Sequence, residues 1–168
     1  MVNKWGDPIV SEPVILRVEG QVATPCELTR QDLKAVDHRF QIADVSRIDP
    51  QRQGRAVTLE GVLNLVRPQP TVRYLTLHAS ADDFHASVPL DQVRQLGLFI
   101  YENDGQSLEA SAGGPLRFYI KDFAACHSGE IDECANVKFV DRIELSSDKG
   151  LDTRPVDEED HEALHRRQ

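Results

Sequence analysis

The sequence predicts an α+β fold, a mixed β-sheet core with short peripheral helices. Three observations lead there. Strand-like runs such as VILRV, RYLTLHAS and PLRFYI are intermixed with short helical stretches, instead of alternating with long helices as in a doubly wound sheet. Asn103-Asp104-Gly105 and then Gly113-Gly114 separate successive β-type runs at positions where positive φ costs little. No internal repeat or low-complexity block interrupts this pattern.

The elements follow in order. Residues 1–13 carry Gly6, Pro8 and Pro13 and are expected to form an extended N-terminal arm, with Trp5 available to pin it to the body. VILRV, from Val14, is a strand punctuated by Gly20. Thr29 and Asp32 have the spacing of a capping box before a short helix, and Cys26 at its entry is most simply a packed small hydrophobe. FQIADV, from Phe40, is expected as a strand, and SRIDPQRQGR as a loop. In AVTLEGVLNLV, Leu59, Val62, Leu63 and Val66 fall at helical spacing, with Thr58 as cap and Pro68 as stop. RYLTLHAS and HASVPL flank the short loop ADDF, and DQVRQLG supplies about two helical turns ended by Gly97. LFIYE and PLRFYI follow as strands, and NVKFVDRIEL alternates like a half-buried strand.

At 168 residues, 40% apolar and 28% charged, the chain has the size and composition of one globular domain. The expected division is an arm at 1–13, a domain at 14–147 and a charged C-terminal tail at 148–168. No run approaches the roughly 18 apolar residues of a membrane span. The N-terminus shows no apolar h-region, so the expected location is cytoplasmic. A net charge of −9 argues against a nucleic-acid binder, because no basic stripe is present to release counterions from a phosphate backbone. From Ser146 onward there are seven acids and four bases, so the body of the chain is acidic as well. A local cationic pocket for a small anion remains compatible with that total, since distant charge is screened by salt.

Three cysteines without a signal peptide argue against a disulfide framework. Cys126 and Cys134 can pair, stand as two unconnected thiols, or join His127 and Glu130 or Glu133 at zinc; the C-x7-C spacing lacks compact knuckles. His78 either faces a pocket or is satisfied within the fold, and His38 and His85 read as a surface residue and a loop-edge residue. His161 and His165 belong to the charged tail. Arg47, Arg52 and Arg55 cluster in one loop, where guanidinium groups suit phosphate or carboxylate, or are balanced in solvent by Asp44 and Asp49. There is no P-loop, dinucleotide fingerprint or nucleophilic triad.

Several short motifs, in this order, carry a family resemblance. They are V-x-G-x-V-x-x-P-x-x-L-T-x-x-D-L from Val18, S-A-D-D-F-H-A-S-V-P-L from Ser80, G-G-P-L-R from Gly113 and N-V-K-F-V-x-x-I-x-L from Asn136. Together they resemble the molybdopterin-binding domain of sulfite-oxidase-like oxidoreductases. The resemblance implies that domain's fold and a pocket for an anionic pterin cofactor, molybdopterin, held by Arg117 and Lys138. His78 and the loop arginines Arg47, Arg52 and Arg55 are further cofactor-binding candidates.

Two departures qualify what it implies. The cysteine that ligates the metal should precede the AVTLEGVL helix, yet that loop offers Asp44, Val45, Ser46 and Arg47, and no cysteine occurs from Lys34 to Tyr101. The active-site tyrosine aligns with Phe84, whose ring has no hydroxyl to donate. The expected protein is a diverged, molybdopterin-binding-like member that takes a pterin or other small anion, with sulfite-oxidase-type catalysis in doubt. The alternatives are a non-catalytic binding or interaction module on the same scaffold, with no cofactor, or a small zinc or thiol site at Cys126 and Cys134. No nucleic-acid or membrane partner is expected, and a protein partner is left open.

Overall fold

The computed structural model describes residues 2, 4–7, 12–122 and 130–155. Two five-stranded sheets enclose the core. The first sheet is built from β1 (Val14–Gly20), β2 (Cys26–Thr29), β5 (Tyr74–Ala79), β6 (Phe84–Pro89) and β10 (Arg142–Ser146), in the order β2-β1-β10-β5-β6. The second has the order β3 (Gln41–Ile42), β4 (Arg55–Thr58), β7 (Gly97–Asn103) and β8 (Gln106–Ser107), with β9 (Arg117–Ile120) also paired to β7. All the pairings are antiparallel except β1 with β10. Among the described residues, three short helices, α1 (Arg30–Lys34), α2 (Leu59–Val66) and α3 (Leu90–Val93), complete the α+β architecture that the sequence predicts.

Both predicted N-caps form. Thr29 and Asp32 exchange the reciprocal bonds of a capping box, and Thr58 Oγ1 accepts from the Gly61 amide at 3.1 Å. Helix α2 buries Leu59, Val62, Leu63 and Val66 at 1% exposure or less, each removal from water contributing roughly 1.5–3 kcal/mol. They meet Leu16, Leu75, Leu77 and Ile143 of the first sheet and Val57, Phe99 and Phe118 of the second in one continuous core. A smaller cluster of Val45, Ala56, Leu98, Ile100 and Leu108 is separate from it. Residues alternate between these two clusters along β4 and β7, as the pleat requires.

Four expectations change. NVKFVDRIEL becomes a strand only from Arg142, because Val137 and Val140 are spent on loop bonds to Phe118 and Leu116, and Phe139 adopts φ +58°. FQIADV yields just the two residues of β3, after a 3-10 turn at His38–Phe40. Gly97 opens β7 instead of ending a helix, and α3 is a single turn. Trp5 is 77% exposed, with Lys4 Nζ 4.9 Å from its ring centroid. No helix among the described residues is long and apolar enough to cross a membrane.

Candidate functional site

The loop between β3 and β4 closes over the second sheet. Val45 is fully buried in the smaller cluster and anchors the loop, and its amide donates to the Gly54 carbonyl at 2.9 Å. Asp44 caps a 3-10 turn over Val45–Arg47, its Oδ1 accepting from the Ser46 amide at 3.0 Å and the Ser46 hydroxyl at 2.6 Å. Those bonds, the side-chain one first, hold the Asp44 carboxyl below the usual carboxylate range. Further on, Asp49 Oδ1 accepts from the Gln51 amide at 2.9 Å and Oδ2 from the Tyr119 hydroxyl at 2.9 Å. The same two donors, in that order, depress the Asp49 pKa. Burial and then Asp49 push the Tyr119 phenol up.

Strand β9 brings Arg117 to this loop. Phe118 and Ile120 enter the main core, so alternation leaves Arg117 and Tyr119 on the opposite face, with Tyr119 packed on the smaller cluster. The Arg52 guanidinium lies 5.6 Å from the Tyr119 ring centroid and pairs loosely with Asp49 at 3.9 Å. Arg117 Nη1 donates to the Ala112 carbonyl at 3.3 Å. Burial, and then the like charge of Arg52, lower the Arg117 pKa. Arg117 and Lys138 also meet around Gly113 (φ +92°). A Cβ there would stand 3.0 Å from Lys138 Cγ and 3.2 Å from Arg117 Cδ. Phe139 donates its amide to the Gly113 carbonyl at 2.9 Å, which fixes Lys138 beside the turn.

Among the described residues, the Nε atoms of Arg52, Arg55 and Arg117 are buried without a hydrogen-bond partner. An inward-facing guanidinium nitrogen lacking an acceptor is unusual, because leaving a buried donor unmet costs roughly 1–3 kcal/mol. Arg55 lies beside a cleft of about 610 Å³ between the loop and the β7–β8 hairpin, lined also by Asp44, Ser46, Glu102 and Asp104. Glu102 is 5% exposed and receives Arg30 at 3.3 Å and Lys34 at 3.4 Å from α1.

Of the six sequence candidates, the fold brings Arg52, Arg117 and Lys138 together, with Arg55 farther along the same sheet. Arg47 projects into solvent, its side chain 87% exposed, 4.0 Å from Asp44. His78 stands on the first sheet, where its Nδ1 lies 2.7 Å from His85 Nδ1. The loop-edge expectation for His85 is thereby corrected: it lies within β6 and is 7% exposed. Phe84 packs against the main core. Cys126, His127, His161 and His165 lie outside the described residues. Cys134 is a free, half-buried thiol whose pKa is raised by burial and then by Asp132, and no metal-ligand cluster occurs among the described residues.

Tyr119 is the site residue that sequence reasoning passed over, and Asp49 entered it only as a counter-charge to the loop arginines. Tyr119 had a legible signal, since it follows Arg117 by two residues in a strand and must share its face. Its bond to Asp49, 70 residues away, had none.

A family model described as the oxidoreductase molybdopterin binding domain matches residues 8–152. No curated protein matches the sequence. Among solved structures, the sulfane dehydrogenase SoxCD from Paracoccus pantotrophus is similar at a TM-score of 0.55 and 16% identity over 80% of this chain. That likeness concerns the fold, and the match spans 38% of the SoxCD chain.

Proposed function

The chain belongs to the oxidoreductase molybdopterin binding domain family, and from that premise we propose that it binds a phosphorylated pterin of the molybdopterin type through Arg52, Arg117 and Lys138. The observation that carries the reading is the pair of half-buried guanidinium groups whose Nε atoms have no acceptor. They sit close enough for Arg52 to depress the Arg117 pKa. Two like charges held in a partly desolvated place repel, and an anion that enters relieves the repulsion while supplying acceptors. Arg55 extends the positive surface toward the cleft.

The residues fit the anionic end of such a cofactor. They do not fit a metal held by a protein thiolate. The loop before α2 presents Asp44, Val45, Ser46 and Arg47, and the sequence has no cysteine between Lys34 and Tyr101. Redox turnover at a cysteine-bound molybdenum is therefore not part of the proposal. When bound, the cofactor would supply the metal and its electron chemistry, while this chain supplies charge neutralisation and orientation. Arg117 and Arg52 would grip the phosphate from the sheet side, and Lys138 would add a mobile ammonium at the rim.

The test is to purify the protein from cells that make molybdenum cofactor, measure molybdenum, and release any pterin as its fluorescent oxidation product. Bound pterin should fall about tenfold or more in Arg117→Ala, given that a charge-assisted bond contributes roughly 1.5–3 kcal/mol. Absence of pterin in the wild type, together with phosphate-ester affinity unchanged in Arg117→Ala, would overturn the reading.

A further inference from the structure

Four of the five buried polar residues among those described, Thr76, His78, His85 and Ser87, lie together on β5 and β6. They form two cross-strand pairs, Thr76 opposite Ser87 and His78 opposite His85. Successive residues of a strand alternate between faces, so these four share the face turned away from Leu75, Leu77, Ala86 and Val88. That face is polar, and it is nonetheless buried.

The chain from Lys149 to Arg154 accounts for the burial. Gly150 donates its amide to Ser87 Oγ at 2.9 Å and comes up against Thr76 Oγ1. Thr153 donates its amide to the His85 carbonyl at 2.8 Å, and Thr153 Oγ1 accepts from the His85 amide at 2.9 Å. Arg154, its side chain 7% exposed, reaches the Ser87 carbonyl at 3.1 Å, the Glu130 carbonyl at 2.7 Å and Asp152 at 2.7 Å. This segment is a strap fastened along the edge strand β6.

The two histidines beneath it are joined through Nδ1 to Nδ1 at 2.7 Å. A bond between two identical nitrogens holds one hydrogen, so one ring donates and the other accepts. Two imidazolium rings would set N–H against N–H. The closed pair can therefore never carry the two protons that two separate imidazoles carry in acid. We propose that the His78–His85 pair is an acid-sensitive latch, and that its second protonation separates the rings and frees the strap at Gly150–Thr153.

The surrounding charges bear on the threshold without lifting the restriction. Asp83 Oδ1 lies 3.1 Å from His85 Nε2, and Glu144 Oε2 lies 3.6 Å from His78 Nε2. Of the two, Glu144 favours a proton on His78. Arg142 of β10 is opposite His78 and opposes a positive charge there, though Glu19 at 2.6 Å and Glu144 at 3.4 Å offset it. Asp141 is engaged by the Ser80 amide and hydroxyl, each at 3.0 Å. The strap brings Lys149, Asp152 and Arg154, and Asp152 pairs with both cations. Burial, followed by Arg142 and His85, lowers the His78 pKa, which agrees with a ring held neutral. The sign follows from proton counting. Below about pH 6.5 the open form binds more protons than the closed one, so closure weakens as pH falls and is fully restored above that value.

Amide hydrogen exchange, corrected for intrinsic rates, tests the latch. Between pH 7.5 and 5 the protection of the Gly150 and Thr153 amides should fall by about tenfold per pH unit once the difference of one proton develops. The amides of Val18 and Leu77 should stay protected throughout. His78→Gln and His85→Gln should each flatten the pH dependence at the strap, and Thr153→Val should open it at every pH without needing the rings. Unchanged strap protection in the wild type at pH 5 would overturn the latch, as would loss of protection in strap and core together. The experiment uses protein without added cofactor, so its outcome is independent of pterin binding.

Discussion

Arg52 lies over the ring of Tyr119 while the hydroxyl of that same ring donates to Asp49, the acid three residues before Arg52. The ring thus supports a cation on its face and fixes that cation's counter-ion at its edge. Tyr119→Phe should keep the first interaction and lose the second. The expected result is a loss of about 1 kcal/mol in stability for one removed hydrogen bond, read by urea denaturation, and severalfold weaker binding of inorganic phosphate. Equal phosphate affinity in the two proteins would separate the Tyr119 hydroxyl from the site.

Gly113→Ala is expected to damage the site through the backbone. At φ +92° an L side chain is strained, and its Cβ would press on Lys138 and Arg117 together. The variant should lose about 1 kcal/mol or more of stability, the usual penalty for alanine at positive φ. Phosphate binding should weaken beyond what Lys138→Ala alone produces. Calorimetric titration of the two variants side by side makes the comparison.

Alkaline pH should expose Tyr101. Its side chain is fully buried, and its hydroxyl donates to Gln41 Oε1 at 2.7 Å. Burial, only partly offset by Arg55, pushes its pKa up to about 12. An unfolded tyrosine ionises near pH 10. Above about pH 10 the unfolded chain therefore holds fewer protons than the folded one, and stability falls as pH rises toward about 12. Below pH ~10 this contribution does not vary with pH. Denaturant midpoints at pH 9 and pH 11 should differ less in Tyr101→Phe than in the wild type, even though the variant loses the Gln41 bond at both.

Local chemistry made much of this fold legible. Thr29 with Asp32, and Thr58 before an apolar helical stripe, announce helix starts because the capping partners are three residues away. The β7–β8 turn at Asn103–Gln106 is equally local, with Asp104 and Gly105 both at positive φ. The illegible parts depend on contacts between distant residues. NVKFVDRIEL alternates like a strand, but Val137 and Val140 are bonded to β9 and its approach, which leaves only its last four residues, Arg142 to Leu145, for the sheet. The choice for His78 between facing a pocket and being satisfied within the fold turns on its partner across the hairpin, His85. With a short turn at ADDF, the register that sets His78 against His85 could have been counted from the sequence. The meeting of Arg52 with Arg117 could not, since it requires the loop after β3 to fold back over β9.

The parallel pairing of β1 with β10 has a consequence for how the chain reaches this state. Hairpins β1–β2 and β5–β6 are local and can form early, yet β10 lies between them in the sheet and comes from residues 142–146. Until that strand arrives, both β1 and β5 present an unpaired edge. Closing the gap brings Arg17 to Arg142 and Gly20 to Leu145, contacts of very long sequence separation that slow a folding reaction. During synthesis, the two halves of the first sheet must wait for their central strand to leave the ribosome. A chain stopped before Arg142 would carry two exposed strand edges, each a template for pairing with another molecule.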